Sequence, residues 1–263
     1  MKIQCPAKIN LTLKVTSKRE DGFHNIESIM QTISLYDYLT LNAEPSDKFE
    51  IRLSGTSNEI PYDEKNLVYK AILLFIERTN LPPHKIEVFI EKNIPVSAGL
   101  AGGSTNASGI LKGLNEFFNQ PLSNKELHEL CAKLGSDLNF CLEGGRQMTK
   151  GRGEILEKLP FEDFELSLIK PLNLGISAKE AYTKFSNKKS LGKKGYENYK
   201  NDLEWAVFED YQELQHLKSL YPNSIMSGSG PTYFIIGETL NPENNYWIMN
   251  SLKATNKGIT ILN

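Results

Sequence analysis

The sequence predicts an α+β fold rather than a doubly wound parallel sheet. Strand-like runs with period-2 alternation dominate the first half. Helix-like segments are inserted among them at irregular intervals, and several neighbouring runs are joined by turns of hairpin type. A doubly wound sheet would instead show a steady strand–helix alternation.

The elements follow in order. Residues 8–16 (KINLTLKVT) place Ile9, Leu11, Leu13 and Val15 on one side of a half-buried strand. Arg19-Glu20-Asp21-Gly22 reads as the hairpin turn behind it. Residues 26–41 alternate again through Ile29, Ile33, Leu35 and Leu39, and residues 49–53 form a further strand. Residues 66–78 have helical spacing at Leu67, Ala71, Leu74 and Phe75, and Pro82-Pro83 bars continuation. Residues 85–90 (KIEVFI) read as a strand that enters a loop rich in Gly, Ala and Ser. The helix after that loop aligns Ile110, Leu111, Leu114, Phe117 and Phe118. Ser123 with Glu126 three residues on is a capping-box start.

In the second half, residues 165–170 read as a strand, 177–185 as a helix, and 203–220 as one or two helices. A turn-strand unit spans 224–237, and 246–254 reads as a last helix. The basic segment 184–200 reads as a solvated loop rather than a lid. A composition break between Gly151 and Pro160 marks the candidate domain boundary.

Composition narrows the function classes. With 30 basic and 32 acidic residues the net charge is -2, which offers no nucleic-acid surface. An anionic ligand must therefore be held by local features. The N-terminus lacks the apolar core of a signal peptide, and no segment approaches the ~20 apolar residues of a membrane span, so a cytoplasmic location is expected. Cys5, Cys131 and Cys141 lack metal-ligand spacing and read as reduced thiols. His24, His84, His128 and His216 form no cluster, which argues against structural zinc.

The loop after residue 90 carries the first functional signal. A Gly-rich loop opening a helix exposes backbone N–H groups at the positive end of a helix dipole, a site for phosphate oxygens. It ends in Gly103-Ser104-Thr105 without the lysine of a Walker loop, and Gly99, Gly102 and Gly103 do not give dinucleotide-fingerprint spacing. A plain turn capped by Ser104 or Thr105 has the same composition. Lys8 and Asn10, two apart, share the strand face opposite Ile9 and Leu11, facing either solvent or a cleft. Asp137, in a run of small and apolar residues, is either a helix cap or an acid placed for function. A second Gly/Ser loop, residues 226–232, suggests two loops meeting around a ligand.

Together, P-A-K-I-N (6–10), P-V-S-A-G-L-A-G-G-S-T-N-A (95–107) and S-G-S-G-P-T (227–232) resemble the three motifs of the GHMP kinase superfamily. Residues 5–41 are most similar to the branch acting on a cytidine diphosphate-linked methylerythritol. Segments 65–68, 135–137, 151–156 and 201–204 strengthen the likeness, which runs to about residue 237. The resemblance implies a two-domain GHMP kinase fold, an N-terminal ATP-binding domain at 1–155 and a C-terminal domain at 156–263, with the active site in the cleft between them.

It also implies the activity: ATP-dependent phosphorylation of the acceptor's 2-hydroxyl, in the non-mevalonate route to isopentenyl diphosphate. ATP would lie against Pro95, Val96, Ser97, Ala98, Gly99, Leu100, Ala101, Gly102, Gly103, Ser104 and Thr105, with Asn66 near the adenine. Asp137 would be the base, with Lys8 beside it stabilising developing charge. Asn10 would orient the acceptor, Gly228 and Ser229 would contact it, and Phe23, His24 and Tyr182 would hold the cytosine. Mg²⁺ should accompany ATP; Thr105 is a candidate contact, and no carboxylate ligand is assigned. The expected state is a monomer or weak homodimer, with no nucleic-acid or membrane partner.

Two positions depart from the family pattern. Phe23 stands where it has Tyr, losing a phenol, and Asn139 where it has Pro, which frees the backbone near Asp137. Another small-molecule GHMP kinase, or a nucleotide-binding regulator without catalysis, remains open on sequence alone. A dehydrogenase lacks both the loop spacing and the acidic ribose partner.

Overall fold

The computed structural model describes residues 1–262. The alternation at the N-terminus becomes two long strands, β1 (Lys2–Lys18) and β2 (His24–Pro45), joined by a short turn and paired antiparallel. Their register shifts after Pro6, Asn10 and Val15. Such irregularities kink a strand and re-aim its side chains, and two of them bracket Ala7 to Asn10.

The rest of the first half is built on β2. From β3 (Glu50–Gly55) the chain crosses through α1 (Leu67–Thr79) to β4 (His84–Glu91), which lies parallel to β3 and antiparallel to β2. Parallel neighbours need such a crossover. The Asn66 side chain accepts from Val68 N to start α1, and Asn80, at φ 50°, ends it before the two prolines. Three helices follow: α2 (Gly102–Phe117), α3 (Asn124–Leu134) with its Ser123/Glu126 capping box, and the short α4 (Leu138–Glu143). A hairpin, β5 (Arg146–Gly151) and β6 (Ile155–Lys158), returns to β2. One apolar cluster fills the space under α1–α3, with Phe75, Ile110 and Leu114 against Ile3, Leu39 and Leu41.

The second half begins at β7 (Glu165–Pro171) and passes through α5 (Ala178–Ser190), α6 (Asp202–Val207) and α7 (Gln212–Leu220). It then forms β8 (Ile225–Met226), β9 (Tyr233–Ile236), β10 (Tyr246–Thr255) and β11 (Thr260–Leu262). The strand path is β11–β1–β2–β10–β7–β9–β8, so β10 joins the two halves and β11 returns beside β1. A second cluster lies under α5–α7, and a third sits between β7, β10 and the loop before α2.

Two readings change. Residues 246–254 form a strand, not a helix. Tyr246 and Ile248 pack on the second cluster while Trp247 and Met249 pack on the third. A strand covered on both faces shows a continuous apolar run, which periodicity alone cannot distinguish from a helix. The helix at 177–185 continues to Ser190, taking in part of the basic segment. Gly151 to Gly153 lie in the turn of the β5–β6 hairpin, both glycines at positive φ.

Candidate active site

The Gly-rich loop delivers α2 with its first turn bare. Ala101, at φ 59°, occupies the N-cap position and has no side-chain acceptor to offer, and neither Ser104 nor Thr105 caps the helix. The N–H groups of Gly102, Gly103 and Ser104 are therefore left for a ligand. The loop entry is pinned from below by Asp37. That carboxylate, fully buried, accepts from Asn93 N (2.7 Å), Ile94 N (2.8 Å) and Lys92 Nζ (2.6 Å). Burial pushes the Lys92 ammonium below the ordinary lysine range while Asp37 draws it back. A side chain at Gly102 would start 2.7 Å from Lys92 Nζ, so this cation lies against the helix start.

Strand β1 supplies the next groups. Lys8, only 3% exposed, donates from Nζ to Asn10 Oδ1 (2.7 Å) and Gly99 O (2.9 Å), and lies 3.5 Å from Asp137 Oδ2. Asn10 is fully buried and donates to Ser28 Oγ at 2.8 Å. Asp137 stands at the N-cap position of α4 yet makes no capping hydrogen bond, and its side chain is 29% exposed. A carboxylate with one edge on an ammonium and another open to the cleft can accept a proton from a bound hydroxyl.

The second Gly/Ser loop closes on the first. Ser227 Oγ donates to Gly99 O at 3.0 Å, and Gly228 passes over the lysine so closely that a Cβ there would lie 3.0 Å from Lys8 Nζ. Asn201 fixes this loop from below. Its amide donates to Met226 O (2.7 Å) and Gly228 O (2.8 Å), while its Oδ1 caps α6 at Leu203 N. Asp202 accepts from Val15 N and Lys14 Nζ, and Glu204 accepts from Met226 N, so residues 201–204 tie the loop to β1.

At the far end, the His24 ring stacks on Tyr182 with centroids 5.1 Å apart and planes at 15°, and His24 Nε2 pairs with Ser186 Oγ at 2.8 Å. Burial first, and Lys18 second, hold His24 below its usual pKa. Phe23 is half exposed, with the Arg152 guanidinium 4.8 Å from its ring centroid.

These groups line one cleft of about 1060 Å³. It brings together Lys8, Asn10, Phe23, His24, Asn66, Asp137, Tyr182, Gly228 and Ser229 with Pro95 to Gly99 and Ala101 to Ser104. Leu100 and Thr105 do not line it. Leu100 is buried in the third cluster and receives Lys8 N on its carbonyl. Thr105 is fully buried, its hydroxyl without a partner. Asn66 reaches the rim with its amide already spent on Val68 N and Pro61 O. Ser229 Oγ donates to Ile176 O at 3.2 Å.

Sequence reasoning missed Lys92, Arg152 and Ser186 as cleft residues. One signal was present for the first: Asp37 shares the inward face of β2 with Leu35, Leu39 and Leu41, and a carboxylate there requires a buried partner. Among the described residues no three His, Cys, Asp or Glu side chains gather as a metal cage. Ser97 and Ser104 are the loop's hydroxyl residues that line the cleft, too few oxygens for an all-protein cage, which suits a magnesium ion carried mainly by phosphate and water.

Residues 66–145 match the GHMP kinases N terminal domain. A 4-diphosphocytidyl-2-C-methyl-D-erythritol kinase of Clostridium tetani is 41% identical over 256 residues, covering 89% of this chain and 90% of that one. One from Prochlorococcus marinus is 36% identical, covering 98% and 92%. The crystal structure of a 4-(cytidine 5'-diphospho)-2C-methyl-D-erythritol kinase superposes with a TM-score of 0.73 at 25% identity, over 97% of this chain and all of that one. The Methanococcus jannaschii mevalonate kinase, 16% identical, shares the fold with a TM-score of 0.69 over 97% of this chain and 98% of its own.

Proposed function

We propose a division of labour in the cleft from the premise that this chain belongs to the 4-diphosphocytidyl-2-C-methyl-D-erythritol kinase family of GHMP kinases. The reaction is ATP-dependent phosphorylation of the acceptor's 2-hydroxyl, giving the 2-phosphate, in the non-mevalonate route to isopentenyl diphosphate.

The ATP phosphates lie on the bare first turn of α2, whose entry the Lys92–Asp37 ion pair braces beside Gly102. Asp137 accepts the proton of the tertiary 2-hydroxyl as it attacks the γ-phosphorus. Lys8 neutralises charge on the transferred group, and Asn10, held by Ser28, orients the acceptor. Phosphoryl transfer needs positioning and charge stabilisation above all, and these groups supply both. Phe23, His24 and Tyr182 receive the cytosine, and Gly228 and Ser229 close over the acceptor. Mg²⁺, held by phosphate oxygens with Ser104 near, would supply charge neutralisation between the phosphates.

One observation carries this reading: a single ammonium, that of Lys8, contacts the phosphate loop at Gly99, the acceptor side at Asn10 and the carboxylate of Asp137. The test is ATP consumption with the cytidyl acceptor, with an Asp137→Ala variant alongside and mevalonate and homoserine as controls. Turnover confined to the cytidyl acceptor and lost in the variant supports it; turnover with mevalonate or homoserine, or an active variant, sinks it.

We further read residues 1–155 and 156–263 as the two domains, supported by one large apolar cluster drawn mainly from each half, with Ile259 crossing into the first and Leu13 into the second. We read the protein as a cytoplasmic monomer or weak homodimer, and the net charge of -2 supports the absence of nucleic-acid partners. Among the described residues no helix is long and apolar enough to cross a membrane.

A further inference from the structure

The turn between β5 and β6 forms part of the cleft wall, and Arg152 is its cleft-lining side chain. The turn is tightly built. Gly151 and Gly153 lie at φ 68° and 126°, and the Glu154 carboxylate accepts from Arg152 N at 2.6 Å. A side chain at Gly153 would start 2.7 Å from Ser136 O, so this turn packs directly against the one that presents Asp137.

The Arg152 guanidinium is half buried. It lies over the face of Phe23 and spends one donor on Ala132 O at 3.2 Å. No carboxylate lies within ion-pair distance of it among the described residues, whereas the two deep cations have theirs: Lys8 has Asp137 and Lys92 has Asp37. Asp21, an acid lining the same cleft, feels the guanidinium without touching it. A half-buried guanidinium with donors to spare and no carboxylate in contact is a site for an anion, and its planar fork suits phosphate oxygens.

Which anion follows from the order of groups along the acceptor, and this step rests on the function proposed above. The base lies at Phe23, His24 and Tyr182, and the reacting hydroxyl at Asp137. The diphosphate lies between base and hydroxyl in the molecule; in the protein the Arg152 guanidinium lies on Phe23, and the next residue, Gly153, packs against Ser136 beside Asp137. We propose that Arg152 binds the acceptor's diphosphate, with the Phe23 ring as the seat that holds the guanidinium in place. On this account Phe23 needs only a flat face, and the phenol missing from this chain is not required there.

Calorimetric binding of CDP and of cytidine to the wild type, Arg152→Gln and Arg152→Lys tests the assignment. Gln keeps a donor for Ala132 O while removing the charge. The wild type should prefer CDP to cytidine by on the order of tenfold to a hundredfold. Arg152→Gln should erase most of that preference with cytidine affinity unchanged, and Arg152→Lys should restore part of it. The acceptor KM should rise in parallel while the ATP KM stays put. Equal losses for CDP and cytidine, or an unaltered preference, would overturn the proposal while wild-type turnover leaves the kinase reading standing. A wild type that neither binds CDP nor phosphorylates the cytidyl acceptor would overturn both.

Discussion

Lys8 Nζ lies 3.5 Å from Asp137 Oδ2 while donating to the carbonyl of Gly99 at 2.9 Å. A strand, a phosphate loop and a helix start therefore converge on one ammonium, from sequence positions about 130 residues apart at the extremes. Asp137 could have spent its carboxylate on capping α4, the commonest use of Asp at such a position. It caps nothing, and its partner is Lys8.

Asp137→Asn should lower kcat by about 100- to 10,000-fold, the usual range for a positioned base, with the ATP KM little changed. Lys8→Met should cost a comparable factor, and the double variant little more than either single one, because the two act as a unit. Steady-state kinetics on all three variants checks this; fully multiplicative losses would show that the groups act independently.

Gly99→Ala tests the contact between the two Gly-rich loops. Gly99 lies at φ 74°, and a Cβ there would run into the carbonyl oxygen of Ser227. Left-handed backbone alone costs an alanine roughly 1–2 kcal/mol, and the collision forces the loops apart. We expect kcat/KM for ATP to fall by about tenfold or more, with a lower Tm. Unchanged kinetics would mean that the loops need not touch for ATP to bind.

Asn201 should prove to position the second loop without touching substrate. Asn201→Asp keeps the oxygen that caps α6 but sets a carboxylate against the Met226 and Gly228 carbonyls, which now receive two N–H bonds. The loss should be about 2 kcal/mol or more, a Tm drop of roughly 4–8 °C in a chain of this size. The kcat should fall further than in Asp202→Asn, whose side chain bonds to β1 instead. Equal kcat in the two variants would reduce Asn201 to a helix cap.

The parts of this structure legible in the sequence are those whose signals are local. β2 alternates from Ile33 to Leu41 because one face is buried, α3 announces its start through Ser123 and Glu126, and α1 stops short of Pro82-Pro83. β10 was illegible because both its faces are covered, which erases the period. In the site, Lys8, Asp137 and the Gly-rich loops stand in motifs and were found together. Lys92 and Arg152 were not, since each acquires its role only from a distant partner, Asp37 or Phe23. Motif membership also misleads: Leu100 and Thr105 belong to the loop by sequence but are turned into the interior.

The three thiols should be silent in the folded protein. Burial pushes Cys131 up to about 12 and lifts Cys5 and Cys141 higher still, with Asp37 and Asp137 respectively adding to the effect. At pH 8, well below these values, almost no thiolate exists, and all three sulfurs are also inaccessible. Titration with a chromogenic disulfide should find no reactive thiol in the native enzyme and three after denaturation. A rapidly reacting thiol in the native enzyme would reveal local opening around α2 and α4.

Asn139→Pro should be tolerated and mildly stabilising. Asn139 lies in the first turn of α4, where a backbone N–H has no intrahelical acceptor and a proline removes nothing needed. The asparagine amide makes only one long contact, Nδ2 to Glu154 O at 3.4 Å, and its buried Oδ1 has no partner. Removing that oxygen and restricting the unfolded chain both favour proline, by about 0.5–1 kcal/mol for the second effect alone. Part is offset because a residue before proline is pushed away from helical backbone, and Leu138 is helical. We therefore expect Tm to rise by roughly 1–4 °C and kcat to stay within about threefold of wild type. A falling Tm with intact kcat would assign stability to the Asn139–Glu154 contact. A falling kcat with intact Tm would mean that Asp137 depends on freedom in this turn, which the proline takes away.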